Sequence, residues 1–354
     1  MNRVYLALGG YEAGVLWRFL DGVSTAVSSR MVRGSSPVEE NLTFLLCELL
    51  DANTTSLHAL TYPLSQAKTD LEASDAGVTV DVEFETHEHS KYVESRYSGA
   101  DLGIVLTVNH PVFGHSRRGI LVQAKRLFGV GKKREYGLYS AYSSFDRQQA
   151  EFLEALRQRF GVYNSVYYLW YNPPSSAFRD DDARILRAYE ATDPGPHRYW
   201  GRIHPFLDEL IEMGLAPWPF GSRVPQIEPT SEQEAKARQW RQTQPALRLS
   251  GLDVVLSVAD PGSPNLKALC DAALERRSSP AFSPFADFML LALASSRYGS
   301  DSADWLRLTE GQKIPMPSAK EANVEHSELD EMESPPTPRH TLRLTVRSTL
   351  PSVG

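Results

Sequence analysis

Three side chains at the ends of two apolar runs have the types that phosphodiester hydrolysis needs. Asp101 follows Gly99-Ala100 and opens the run Leu102–Val108. Gln123 and Lys125 close the run that begins at Gly119, as Gln-Ala-Lys. Residues two apart on a strand share a face, so Gln123 and Lys125 point one way and Ala124 the other. If the two runs pair antiparallel, Asp101 reaches the same spot. A carboxylate, an amide oxygen and an ammonium then meet at one end of a sheet. A hard cation such as Mg²⁺ takes oxygen ligands, which Asp101, the Gln123 amide and the Ala124 carbonyl can supply. Such an ion polarises a phosphate and lowers the pKa of a bound water. Lys125 can orient or deprotonate that water, or neutralise charge that builds on the phosphorane.

These residues need elements to hold them. Pro37 sits at a helix start with Glu39-Glu40 in the first turn, where acids suit the helix dipole. Leu42, Leu45, Leu46 and Leu49 follow at helical spacing, which predicts an amphipathic helix over 38–51. Strict alternation predicts a half-buried strand over 78–85, and near-continuous apolar runs predict strands at 101–108 and 119–125. A helix over 146–159 and a strand at 166–171, ended by Asn172-Pro173-Pro174, complete the series. The order is helix, three strands, helix, strand, an α/β arrangement.

A helix acid, then Gly-Ala-Asp101, then apolar-Gln123-Ala-Lys125, in this order of elements, resembles the PD-(D/E)XK, or restriction-endonuclease-like, nuclease superfamily. The resemblance covers about residues 37–172. It implies a mixed sheet flanked by helices and a nuclease that uses Mg²⁺, with Mn²⁺ as a substitute. It implies DNA as the substrate, and restriction or anti-phage defence as the setting. By position, Asp101 matches the metal-binding Asp and Lys125 the catalytic Lys. Gln123 takes the slot usually held by Asp or Glu, as in branches with a Gln-x-Lys motif, and so removes one negative charge from the metal site. The helix acid is Glu39 or Glu40. Glu39 lies on the Leu42/Leu46 face and is favoured, with Asp101 and Gln123, as a metal ligand. Gln148 and Gln149, at the start of the helix after Lys125, match a Gln that supports the site in some nucleases of this type. The alternative on the same fold is a catalytically decayed protein that binds nucleic acid or assembles a complex.

Charge is distributed to suit this. The chain has 354 residues and a formal net charge of −7, which argues against coating nucleic acid by bulk electrostatics. Between Arg117 and Arg159, however, ten basic residues stand against four acidic ones, a local surplus of six. Lys132-Lys133-Arg134, together with Arg117, Arg118 and Arg126, are the expected phosphate contacts. Tyr136, Tyr139 and Tyr142 are beside them as candidates to stack on bases. Six acids and no Lys or Arg lie within 321–333, followed by Pro335-Pro336 and Pro338, which reads as a disordered linker. His87 and His89 share a face if the chain stays extended there, but an exposed loop is the expected setting. His110 and His115 fall in the loop after the second strand, which could overhang the site.

The remainder sets limits. Residues 1–36 read as a lead-in of unassigned structure, 37–172 as the nuclease core, 173–311 as a mixed α/β accessory region, and 312–354 as a linker with a strand-like tail at 340–349 that could dock a partner. In the accessory region 252–258 reads as a strand, with helices at 266–274 and 285–294. The second of these helices is apolar almost all round and so belongs in a core or an oligomer interface. Trp200, Trp218, Trp240 and Trp305 mark packed regions. Cys47 and Cys270 sit in apolar periodic stretches and read as buried thiols, with no disulfide framework. No run reaches the length of a membrane span. A soluble cytoplasmic protein, working with a protein partner or as a homo-oligomer, is the expectation.

Overall fold

The computed structural model describes residues 10–32, 37–52, 60–73, 79–89, 100–111, 114–129, 135–137, 139–142, 147–162, 164–178, 182, 252–256, 282–294, 298–315, 335 and 337–349. The fold is α/β. Helices α1 (Gly10–Arg30), α2 (Glu39–Leu50) and α3 (Leu64–Glu72) precede strands β1 (Thr79–Glu88), β2 (Leu102–His110) and β3 (Gly114–Arg126). Then come α4 (Arg147–Arg159), β4 (Val166–Tyr171), β5 (Leu252–Leu256), β6 (Phe282–Pro284), α5 (Phe285–Ala294), α6 (Ala303–Thr309) and β7 (His340–Thr349).

The seven strands form one mixed sheet in the order β1-β7-β2-β3-β4-β5-β6. β7 runs antiparallel to β1 and parallel to β2. β2 and β3 form an antiparallel hairpin, and β3 and β4 pair parallel across the α4 crossover. β5 and β6 extend the far side antiparallel.

Alternation decides the two faces. Val82 and Phe84 of β1, Ile104 and Leu106 of β2 and Leu342, Leu344 and Val346 of β7 are buried. This face meets α1, with Phe19 edge-on to Phe84 at 5.4 Å between centroids. α5 packs on the same face through Phe288 against Tyr167, at 4.8 Å. The near-continuous burial of α5 matches its all-round apolar sequence and places it in the core of the chain itself. The opposite face carries α4 and α6. α6 lies so close that a Cβ on Gly103 would run into the carbonyl oxygen of Thr309, and one on Gly119 would meet the Thr309 hydroxyl at 2.5 Å. That approach lets Trp305 Nε1 donate to the Gly119 carbonyl at 3.0 Å and the Thr341 hydroxyl donate to the Thr309 carbonyl at 3.0 Å.

Two parts of the sequence reading change here. The lead-in contains a 21-residue helix, α1, whose Leu16, Phe19, Leu20, Val23 and Val27 are fully buried. The strand-like tail does not wait for a partner: β7 fills the position between β1 and β2, because its alternating Leu342, Leu344 and Val346 match the buried face of both neighbours. Residues 37–172 therefore do not close a core by themselves. Among its described residues, the accessory region adds β5 and β6 to the same sheet and packs α5 and α6 on its faces. Trp305 and Cys47 are buried as expected, whereas Trp200, Trp218, Trp240, Cys270, the helix at 266–274 and the acidic segment lie outside the described residues. Among the described residues no helix is long and apolar enough to cross a membrane.

Candidate active site

The hairpin register sets the site. Leu102 pairs with Val122, so Asp101 stands at the end of β2 opposite Gln123 near the end of β3. The Asp101 carboxylate accepts the backbone N–H of Ala124 through Oδ2 at 2.8 Å, and the Gln123 amide nitrogen donates to the same oxygen. β7 holds the other side: His340 N–H donates to the Asp101 carbonyl at 3.1 Å, and Arg339 N–H to that of Ala100 at 3.3 Å.

Gln123 and Lys125 share the face that meets α4, as their spacing requires. Both are buried, and Lys125 Nζ donates to Gln149 Oε1 at 2.8 Å. Gln149 is thus brought to the site. Gln148 precedes it in the first turn of α4, and its side chain lies outside those described. Glu39 reaches the end of β3 from the first turn of α2, where its Oε1 accepts the N–H of Arg126 at 3.0 Å. Glu40 forms an ion pair with Arg339, and both lie close enough to act on the Asp101 carboxyl. Glu39 is close enough for the Lys125 cation to act on its carboxyl.

Burial raises the carboxyl of Glu39 from its ordinary 4.5 to about 7, against the pull of the Lys125 cation and with a push from Asp101. Burial likewise raises Asp101 from 3.8 to about 6, opposed by the Ala124 N–H and by Lys125. Each carboxyl holds its proton in the folded chain over a range where the unfolded chain has released it. The stability this contributes is complete below the ordinary carboxyl pKa and is lost as pH rises through the folded pKa. Without metal, the melting temperature of the native chain relative to Glu39→Gln should therefore fall between about pH 4.5 and 7. A difference between the two chains that stays flat across that range would contradict this origin.

The donor set can be tested against a hard cation. Among the described residues no group of three or more His, Cys, Asp or Glu side chains gathers. The oxygens present are the Asp101 and Glu39 carboxylates and the Gln123 amide. Gln123 Oε1 is buried with no hydrogen-bond partner among the described residues. An unpaired buried carbonyl oxygen costs about 1–3 kcal/mol, but it is the Gln123 nitrogen that faces Asp101, so the amide must turn over before its oxygen can share an ion with that carboxylate. With the amide so turned, Asp101, Glu39 and Gln123 would offer Mg²⁺ an all-oxygen set with two carboxylates.

No protein-family model, curated protein or solved structure matches this chain.

The expected phosphate contacts fare unevenly. Arg118 is buried and donates to the Tyr298 carbonyl at 2.9 Å, and Arg126 is buried with NH1 donating to the Pro37 carbonyl at 2.5 Å. Both hold the fold from inside and do not offer their guanidinium groups to solvent; a count of charges along the chain carries no information on burial. Arg117 is partly exposed but pairs with Glu310, which caps the C-terminus of α6. Lys132, Lys133 and Arg134 lie outside the described residues. Tyr136 and Tyr142 are core residues, Tyr142 donating to Asn172 Oδ1 at 2.6 Å and packing on Trp170, while Tyr139 is exposed.

The histidines take other places. His87 is within β1, 3.1 Å from Arg343, and His89 bonds the Thr341 hydroxyl at 2.8 Å, so each is engaged by β7. His110 and His115 lie at the β2–β3 hairpin. That hairpin is at the opposite end of both strands from Asp101 and Lys125 and does not overhang the site. Arg339 is the site neighbour that the sequence reading missed. No local pattern marks it, and only the docking of β7 brings it beside Asp101.

Proposed function

We propose that this chain is a metal-dependent nuclease on a restriction-endonuclease-like core, cleaving phosphodiester bonds of DNA. The observation that carries the reading is the convergence of Asp101, Gln123, Lys125 and Glu39 at one end of the sheet, with Lys125 buried and aimed by Gln149. In support, α2, β1, the β2–β3 hairpin, the α4 crossover and β4 follow in the order helix, three strands, helix, strand, with α3 added between α2 and β1. The insertion of β7 between β1 and β2 departs from a simple meander.

Asp101, Gln123 through Oε1, and Glu39 would hold Mg²⁺. The Gln123 amide now turns its nitrogen to Asp101, so it must turn its oxygen there to serve. Bound Mg²⁺ polarises the phosphate and lowers the pKa of a water. Lys125 Nζ, fixed by Gln149, orients the attacking water or neutralises the charge that develops on phosphate. Arg339, paired with Glu40 and next to Asp101, adds positive charge where the substrate backbone arrives.

A second reading rests on the Gln123 contact. An amide nitrogen on Asp101 suits a site that has lost its metal and only binds nucleic acid. Purified protein incubated with plasmid and single-stranded DNA in Mg²⁺ or Mn²⁺ separates the two. The nuclease reading expects cleavage that disappears in EDTA and in Asp101→Asn. Salt-sensitive binding without any cutting by the native chain would leave the second reading.

A further inference from the structure

The nuclease reading leaves open which form of nucleic acid is cut, and the surface beside Lys125 bears on it. Most large apolar side chains near the site are buried. Phe128, three residues beyond Lys125, is 46% exposed, and Tyr139 is 73% exposed. They belong to one surface element: Leu127 and Tyr142 form an antiparallel bridge, and Phe128 N–H donates to the Ala141 carbonyl at 2.9 Å. Three residues of extended chain reach about 10 Å, so Phe128 lies within one or two nucleotides of the reacting centre.

The Phe128 ring is backed and fixed. The Arg126 guanidinium lies 4.6 Å from its centroid, and the same guanidinium is anchored to the Pro37 carbonyl. Val38, next to Pro37 in sequence, is 55% exposed. Arg126 is joined to the site through its own N–H, which Glu39 accepts. A ring with a cation on one side and solvent on the other offers a flat face to a second planar group. In a duplex each base is already covered by its neighbours. Only an unstacked base can lie on such a ring, and stacking of this kind tolerates any base.

We propose that Phe128 and Tyr139 form a base-stacking platform for single-stranded nucleic acid, leading one strand into the Asp101–Lys125 site. This rests on the nuclease reading for its setting, but its test does not use cleavage. The probes are fluorescein-labelled oligothymidylate and a blunt duplex of the same length, with binding followed by anisotropy in EDTA. Phe128→Ala and Tyr139→Ala should each weaken oligothymidylate binding by about 5- to 100-fold and leave duplex binding within about twofold. Phe128→Leu, which keeps apolar bulk without a ring face, should lose most of the same affinity.

Melting curves that match the native chain exclude misfolding as the cause. Three results would overturn the platform: equal losses on both probes, no loss on either, or full affinity in Phe128→Leu. No loss on either probe, together with a change in the sedimentation of the alanine variants, would reassign the patch to protein contact. Single-strand binding that depends on the rings, without any cutting in Mg²⁺, would leave the platform standing and remove the nuclease reading.

Discussion

Replacing Lys125 by methionine is expected to slow metal-dependent DNA cleavage by about 10²- to 10³-fold, the range that loss of one positioned, charge-stabilising donor costs. Methionine fills the space of the lysine stem, which matters because Lys125 is buried. The loss would come from one ammonium. Its removal also takes away the cation that favours ionised Glu39 and Asp101, so both carboxyls should take up protons more readily at neutral pH and the chain should stay folded. Replacing a buried charge by an apolar group of similar volume is often neutral for stability. Rates of plasmid relaxation and melts by circular dichroism, measured on the same preparations, decide the matter. Unchanged cleavage would remove Lys125 from the chemistry, and a collapsed melt would show that its role is structural.

Ending the chain at Ser334 is expected to abolish folding outright. The deletion removes β7, whose Leu342, Leu344 and Val346 are fully buried between β1 and β2. Each buried side chain of that size contributes about 1.5–3 kcal/mol. Three of them alone match the lower part of the 5–15 kcal/mol that holds a typical domain together. Two ladders of backbone hydrogen bonds go with them. The truncated chain should accumulate as insoluble protein and show no cooperative melt. A soluble truncated chain with native-like unfolding would mean that β1 and β2 can close without β7.

The parts of the fold that were legible share one property: their signal is local. The leucine spacing in α2, the alternation of β1 and the apolar runs of β2, β3 and β4 each state their own period within a few residues. The motif at Asp101, Gln123 and Lys125 could be read because it sits at the ends of those runs. α1 was hidden because its stripe of Leu16, Phe19, Leu20, Val23 and Val27 is diluted by Gly14, Gly22 and a run of Ser, Thr and Val, all weaker helix formers. The place of β7 and the approach of Arg339 depend on pairing across more than two hundred residues, which no window sees. Arg118 and Arg126 misled for a related reason. Composition reports how many charges there are, and only packing reports which of them face solvent.

The position of β7 has a consequence for how the molecule comes into being. A ribosome makes residues 340–349 after every other element of the sheet, yet they belong between two strands made hundreds of residues earlier. Until they emerge, β1 and β2 must wait with open edges, and Asp101 lacks the strand that braces its backbone. A chain still under synthesis, or one cut short by a broken message, would thus carry Lys125 and Asp101 without a working cleft. On the nuclease reading proposed above, the order of translation itself would keep cleavage silent until the whole sheet has been made.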